Sequence, residues 1–166
     1  MGTNEMVKIN LGSGGERGRE DLKDFISIDI ANGDIKIDVT KGLPFEGETV
    51  SYIRAHHILE HIDRFQTLDV LKDCYRVLKH GGQLDIAVPD LDYAVSIYKT
   101  NRSTFNMMIF AGDGKPEETS NPYQYHHSAF DEEELTLQLK GAGFEVGVFD
   151  YPEYYGKELH TVATKL

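Results

Sequence analysis

The feature that most constrains this chain is a series of short aliphatic runs, each stopped by turn residues, with helical spacing appearing only from the middle onward. Residues 7–11 (V-K-I-N-L) alternate and run straight into Gly12-Ser13-Gly14-Gly15. Residues 25–30 (F-I-S-I-D-I), 35–39 (I-K-I-D-V) and 50–55 (V-S-Y-I-R-A) share that character, and we expect four strands there. From Asp63 the apolar positions Phe65, Leu68, Leu71, Tyr75 and Leu78 fall at helical spacing, which Gly81-Gly82 is expected to stop. A fifth strand is expected over 84–88, closed by Pro89, and then a helix over 92–109 with Asp92 as its N-cap. Residues 112–128 are rich in Gly, Pro and aromatics and read as the long loop. A helix over 131–139, acidic in its first turn, should end at Gly141 or Gly143. Two closing strands follow, at 144–148 and 159–165.

Strands alternating with helices argue for an α/β fold with a mostly parallel sheet. Sites in such sheets lie beyond the carboxyl ends of the strands, near the switch point. That gathers Gly12 to Gly15, Asp29, Asp38, Ala55 to His57 and Pro89-Asp90 into one expected site.

Composition narrows the partners. Lys+Arg 17 against Asp+Glu 28 gives a net charge of −11, and no basic cluster is visible. An acidic surface repels a phosphate backbone, so duplex nucleic acid is disfavoured. No apolar run approaches the roughly 20 residues of a membrane span, and no signal-peptide pattern appears, so no membrane association is expected and the cytoplasm is the expected compartment. Residues 1–6 read as a disordered leader and 7–166 as a single domain. The one cysteine, Cys74, falls on the apolar face of a helix and reads as a small buried hydrophobe.

Glycines after a first strand, with Asp29 at the end of the second, suit either NAD or S-adenosylmethionine (SAM). A dinucleotide wants a helix N-terminus for its pyrophosphate. Residues 16–21 (E-R-G-R-E-D) have no apolar helical face to build one. SAM has no phosphate and carries a sulfonium cation, so SAM is favoured.

Four blocks then stand in order: I-N-L-G-S-G-G; S-I-D-I; D-V-T-K-G-L-P-F with A-H-H-I-L-E-H; and Y-R-V-L-K-H-G-G-Q-L-D-I-A-V-P-D. Together they resemble the class I SAM-dependent methyltransferase family, and H-H-S-A-F-D-E-E-E-L with G-A-G-F-E-V resembles its closing helix and strand. The likeness spans residues 7–148 and implies a Rossmann-like sheet, mostly parallel with a closing antiparallel strand. It also implies that Asn10, Leu11, Gly12, Ser13 and Gly14 pass under the methionine part of SAM. Asp29, with Ile30 beside it, would accept both ribose hydroxyls. Asp38 would take the adenine amino group, with Val39 against the ring, and the backbone at Ala55 and His56 would meet the ammonium group. Asn10 and Ser13 depart from the acidic residue and cysteine usual in the family. The helix that often covers the substrate ahead of the first strand is missing from this sequence, a truncated N-terminal cover. The site is thus expected to be open or completed by another subunit, a homodimer being one such arrangement.

Residues 52–62 (Y-I-R-A-H-H-I-L-E-H-I) hold three histidines and a glutamate. On a helical turn His57, Glu60 and His61 share one face, a donor set that suits a divalent metal. It is similar to the Glu-x-x-Glu-His cluster of small-RNA and ubiquinone-pathway O-methyltransferases, with His126 or His127 as the later histidine. A second reading makes His57 or His127, with His56 next, the general base that deprotonates an acceptor hydroxyl. A third leaves Glu60 and His61 as helix-start residues. We expect chemistry at His57 and His127 and structure at Glu60 and His61. A metal held by His57, Glu60, His61 and His127 is the alternative. Tyr123 and Tyr125 in the long loop would lie over the cofactor and bind the acceptor. The function expected is methyl transfer from SAM to oxygen or nitrogen of a small or sugar-like acceptor. A non-catalytic SAM-binding module completed by a partner and an NAD(P)-linked oxidoreductase are the alternatives.

Overall fold

The structure is a computed structural model and describes residues 6–14, 19–111, 122–154 and 156–166. Most of the expected leader, part of the polar connection after the glycines and the first part of the long loop lie outside the described residues. Seven strands form one sheet in the order β3-β2-β1-β4-β5-β7-β6. They are β1 (Val7–Leu11), β2 (Ile26–Asp29), β3 (Ile35–Lys36), β4 (Val50–His56), β5 (Leu78–Pro89), β6 (Glu145–Val146) and β7 (Glu158–Thr164). The first five run parallel, and β7 enters antiparallel between β5 and β6. This is the Rossmann-like α/β sheet, mostly parallel with an antiparallel closing strand.

The two faces of the sheet differ because side chains alternate along a strand. Ile9 and Leu11, Ile53 and Ala55, Leu84 and Ile86, and Leu159 and Ala163 point to one face and are buried. Helices α1 (Thr67–Val77) and α4 (Glu132–Ala142) cover it with Val70, Leu71, Cys74, Leu135 and Leu139. Cys74 is fully buried there, which pushes its thiol up to about 12. The opposite face carries Asn10, Arg54, His56, Asp85 and His160, a polar set that no long helix covers among the described residues. Between β1 and β4 the described connections hold only single 3-10 turns, Glu20–Leu22 and Val39–Lys41.

Four local expectations change. Residues 35–39 make only a two-residue strand, because Asp38 caps the next turn, accepting from Thr40 N at 3.0 Å. The glycine pair does not end α1; the chain leaves the helix at Leu78 and continues as strand through Gly81-Gly82. Gly81 (φ +76) absorbs a register shift between β4 and β5. The C-terminal strand ties that bulge down, through Gly81 N to Lys165 O at 2.7 Å and Lys165 N to Gly82 O at 3.0 Å. The expected helix over 92–109 is two, α2 (Leu91–Ile97) and α3 (Arg102–Phe110). Asp90, not Asp92, caps the first, and Asn101 caps the second. The last helix is capped by Asp131 and ends at Gly143 in left-handed backbone.

Candidate cofactor and acceptor site

The tails of β1, β2 and β4 open onto a cavity of about 590 Å³, within the roughly 300–1,000 Å³ usual for small-molecule sites. One wall is made by Gly12, Gly14, Asp29, Ile30 and the 31–32 turn. A second is made by Ile37, Asp38, Val39 and Thr40, and a third by His57, Ile58, His61 and Gln66. Tyr123, Gln124 and His127 close the rim.

Packing alone requires glycine at position 12: a Cβ there would stand 2.8 Å from Ile58 Cβ, and its φ is +66. Gly14 also has positive φ (+42), and its N–H donates to Asp29 Oδ2 at 3.0 Å. Asp29 Oδ1 accepts from Ala31 N at 2.8 Å and Asn32 N at 2.9 Å. Burial alone would raise the Asp29 carboxyl, but these three backbone bonds outweigh it and hold the group below its ordinary value. Three of the four lone-pair positions of the carboxylate are thereby used, leaving one on Oδ2. Asp38 takes both Thr40 N and Thr40 Oγ1 on Oδ1, leaving Oδ2 for a donor in the cavity. Val39 is buried beside it and presents an apolar wall. An adenosine with an amino donor, a flat apolar ring and hydroxyls matches this donor and acceptor set.

The other expected cofactor residues lie behind the wall. Asn10, Leu11, Ser13 and Ala55 are buried, and neither they nor His56 line the cavity. The Ser13 hydroxyl has no hydrogen-bond partner among the described residues. Asn10 accepts from Arg54 Nη1 at 3.1 Å, on the polar face of the sheet. The His56 ring points to that same face and meets Asp85, so its side chain lies away from the cofactor cavity.

His57 turns out of β4 in left-handed backbone (φ +54), with its N–H on Ala87 O at 2.9 Å. Its Nδ1 lies 3.2 Å from Glu60 Oε1, and its Nε2 forms an ion pair with Glu158 Oε1 at 3.0 Å. Burial pulls the imidazole down, but the Glu158 and Glu60 carboxylates dominate and raise it to about 10. At neutral pH it is an imidazolium with both nitrogens committed. That arrangement does not suit the general base expected at His57. His127 keeps an exposed side chain on the cavity rim, and its backbone N–H donates to Glu60 O at 2.7 Å.

The metal set expected at this corner also changes. Glu60 and His61 form a 3-10 turn with Leu59 rather than a helical turn. It is His126, not His127, whose ligand atom lies within 4.8 Å of those of Glu60 and His61. Both ring Nδ1 atoms face backbone carbonyls, His61 that of Tyr125 at 3.1 Å and His126 that of Met108 at 2.8 Å. Glu60 is 1% exposed, and its Oε2 has no hydrogen-bond partner among the described residues. Glu158 gave no sequence signal: it is an unremarkable acid at the start of a strand, brought to His57 only by sheet topology.

Among the described residues no helix is long and apolar enough to cross a membrane. Residues 9–86 match the family model described as a methyltransferase domain. No curated protein matches in sequence. Solved structures are similar over nearly the whole chain. A SAM-dependent methyltransferase from Methanosarcina mazei has a TM-score of 0.72 at 19% identity, covering 99% of this chain and 94% of its own. A possible histamine N-methyltransferase from Thermotoga maritima has 0.68 at 20% identity, covering 96% and 82%. The 1,6-didemethyltoxoflavin N1-methyltransferase of Burkholderia thailandensis, solved with its acceptor and S-adenosylhomocysteine, has 0.66 at 17% identity, covering 96% and 70%.

Proposed function

The chain has the class I SAM-dependent methyltransferase fold, with its methyltransferase-domain match over residues 9–86, and from this premise we infer that it moves the methyl group of SAM to oxygen or nitrogen of a small or sugar-like acceptor. The observation that carries this reading is the pair of acceptors left open on adjacent cavity walls, Asp29 Oδ2 and Asp38 Oδ2, with Val39 beside them. SAM, when bound, supplies an electrophilic methyl on a sulfonium. The protein holds and orients. Asp38 takes the adenine amino group, Val39 packs on the ring, and Asp29 accepts one ribose hydroxyl. His57 between Glu60 and Glu158 leaves one net negative charge at the far end, which favours a cation there. On the rim, Tyr123 and Gln124 position an acceptor, and His127 takes its proton as the new bond forms. Two named relatives act on, or are described as acting on, small nitrogen compounds, which supports the small-acceptor reading for this chain.

Isothermal titration with S-adenosylhomocysteine and NAD tests the cofactor. Binding of the former alone is expected, and Asp29→Asn should weaken it ~10–100-fold, the value of a hydrogen bond to a charged group. Selective NAD binding would instead support an oxidoreductase. Binding without S-adenosylhomocysteine production across hydroxyl and amine acceptors would support a non-catalytic SAM-binding module.

A second reading adds a divalent ion beside the acceptor. The buried Glu60 Oε2, which has no hydrogen-bond partner among the described residues, favours it, together with the ligand atoms of His61 and His126 that lie within 4.8 Å of a Glu60 carboxylate oxygen. Turnover that rises with manganese and falls with a chelator would support it, and turnover indifferent to both would end it.

A further inference from the structure

A second convergence of ligand atoms lies away from the cofactor cavity, on the polar face of the sheet. His56 from β4, Asp85 from β5 and His160 from β7 stand on three adjacent strands. The Nε2 atoms of His56 and His160 lie 2.7 and 2.8 Å from the same carboxylate oxygen, Asp85 Oδ1. All three candidate ligand atoms fall within 4.8 Å of one another. The outer partners are also in place. Tyr52 Oη donates to Asp85 Oδ2 at 2.7 Å, and His160 Nδ1 faces Asp150 Oδ1. Asp150 is itself fixed by a backbone bridge to His160. The three side chains keep only 21%, 15% and 26% exposure, each edge reaching solvent on a face no long helix covers among the described residues.

We propose that His56, Asp85 and His160 form a binding site for a zinc-class divalent ion on the uncovered face of the sheet. Two imidazoles and one carboxylate are the donor set that borderline divalent ions prefer, with the remaining positions open to water. His160 faces a carboxylate at each ring nitrogen, and carboxylate oxygens accept only, so without an ion the ring satisfies both by donating from each nitrogen. An ion at the shared point takes both Nε2 lone pairs and Asp85 Oδ1 together, and it leaves the His160 Nδ1–H for Asp150. A histidine ligand that donates its other N–H to a carboxylate is the usual arrangement around such ions. Strand-borne ligands are also held more rigidly than loop-borne ones. The site would clip β4, β5 and β7 together at the point where the sheet changes from parallel to antiparallel. It does not rest on the methyl-transfer reading.

The test is cobalt titration of the chelator-treated protein, read by visible absorption and by metal analysis after dialysis. The wild type is expected to take up an ion that His56→Ala, Asp85→Asn and His160→Ala each lose. The double variant His61→Ala/His126→Ala, at the other cluster, is expected to keep it. Asp150→Ala should weaken binding ~10–100-fold without abolishing it, as loss of an outer partner does. Circular dichroism checks folding; if an alanine variant unfolds, the His56→Gln and His160→Gln variants are read in its place. No ion taken up by the wild type, or uptake unchanged in folded variants of His56 and His160, would overturn the site. S-adenosylhomocysteine binding by His160→Ala is measured alongside. Its retention while the ion is lost separates this site from the cofactor cavity.

Discussion

His57 shows how a residue with a legible position can have an illegible role. Its place after the fourth strand and its spacing to Glu60 follow from the sequence, and both are met. Its second partner, Glu158, comes from the last strand, and no local pattern announces it. With a carboxylate on each nitrogen, the folded imidazole titrates at about 10, above its ordinary 6.5. The native state therefore binds more protons than the unfolded state between those values, so stability falls as pH rises through that window. The contribution is complete below the ordinary value and gone above about 10. Thermal midpoints are expected to drop across pH 7–10 in the wild type, with part of that slope missing in His57→Gln. Identical slopes in the two proteins would mean that the ring is not held as a cation. Asp29 and Asp38 were legible, being acids at strand ends in a strand-and-glycine frame. How many acceptor positions each keeps open was not, because local backbone donors decide that.

At the scale of elements, strands and helices with clean periodicity were placed well, and errors gathered where one residue has two competing uses. Glycine pairs end helices often, yet Gly81-Gly82 lies within a strand, because its backbone pairs with Lys165 across the sheet. The Asp92 cap failed against Asp90, which sits where the strand already ends. Asn101 broke the long helical pattern by bonding Thr104 N at 3.1 Å. The glycine loop after β1 was legible as a loop, but the packing of Ile58 against Gly12 was not. That contact can be measured. Gly12→Ala is expected to lower stability in chemical denaturation by roughly 1–3 kcal/mol, the scale of overpacking plus a left-handed backbone. Adding Ile58→Gly, which removes the Cβ in the way, should restore part of that loss, giving a coupling term between the two sites. Strictly additive effects would mean that the two do not clash.

Across the whole molecule, the fold class was legible because successive strands with glycine and acid at their ends leave few alternatives. The unequal faces were only half legible. The connections between β1 and β4 carry only 3-10 turns among the described residues, and the structure leaves a polar sheet face that carries Arg54, His56, Asp85 and His160. The insertion of β7 between β5 and β6 has a consequence in time rather than in space. Until Glu158–Thr164 leaves the ribosome, β5 has a bare edge and β6 has no neighbour, since among the described residues both pair only with that strand on this side. Glu158 also arrives then, so His57 has one carboxylate partner in the nascent chain and two in the finished one. Nascent chains stalled before Glu158 are expected to stay protease-sensitive, and those released past Thr164 to become resistant. Early resistance would show that the parallel half stands alone. Otherwise the order of translation makes the last strand of this sheet the gate to the native state, and chaperones would have an adhesive edge to shield until it arrives.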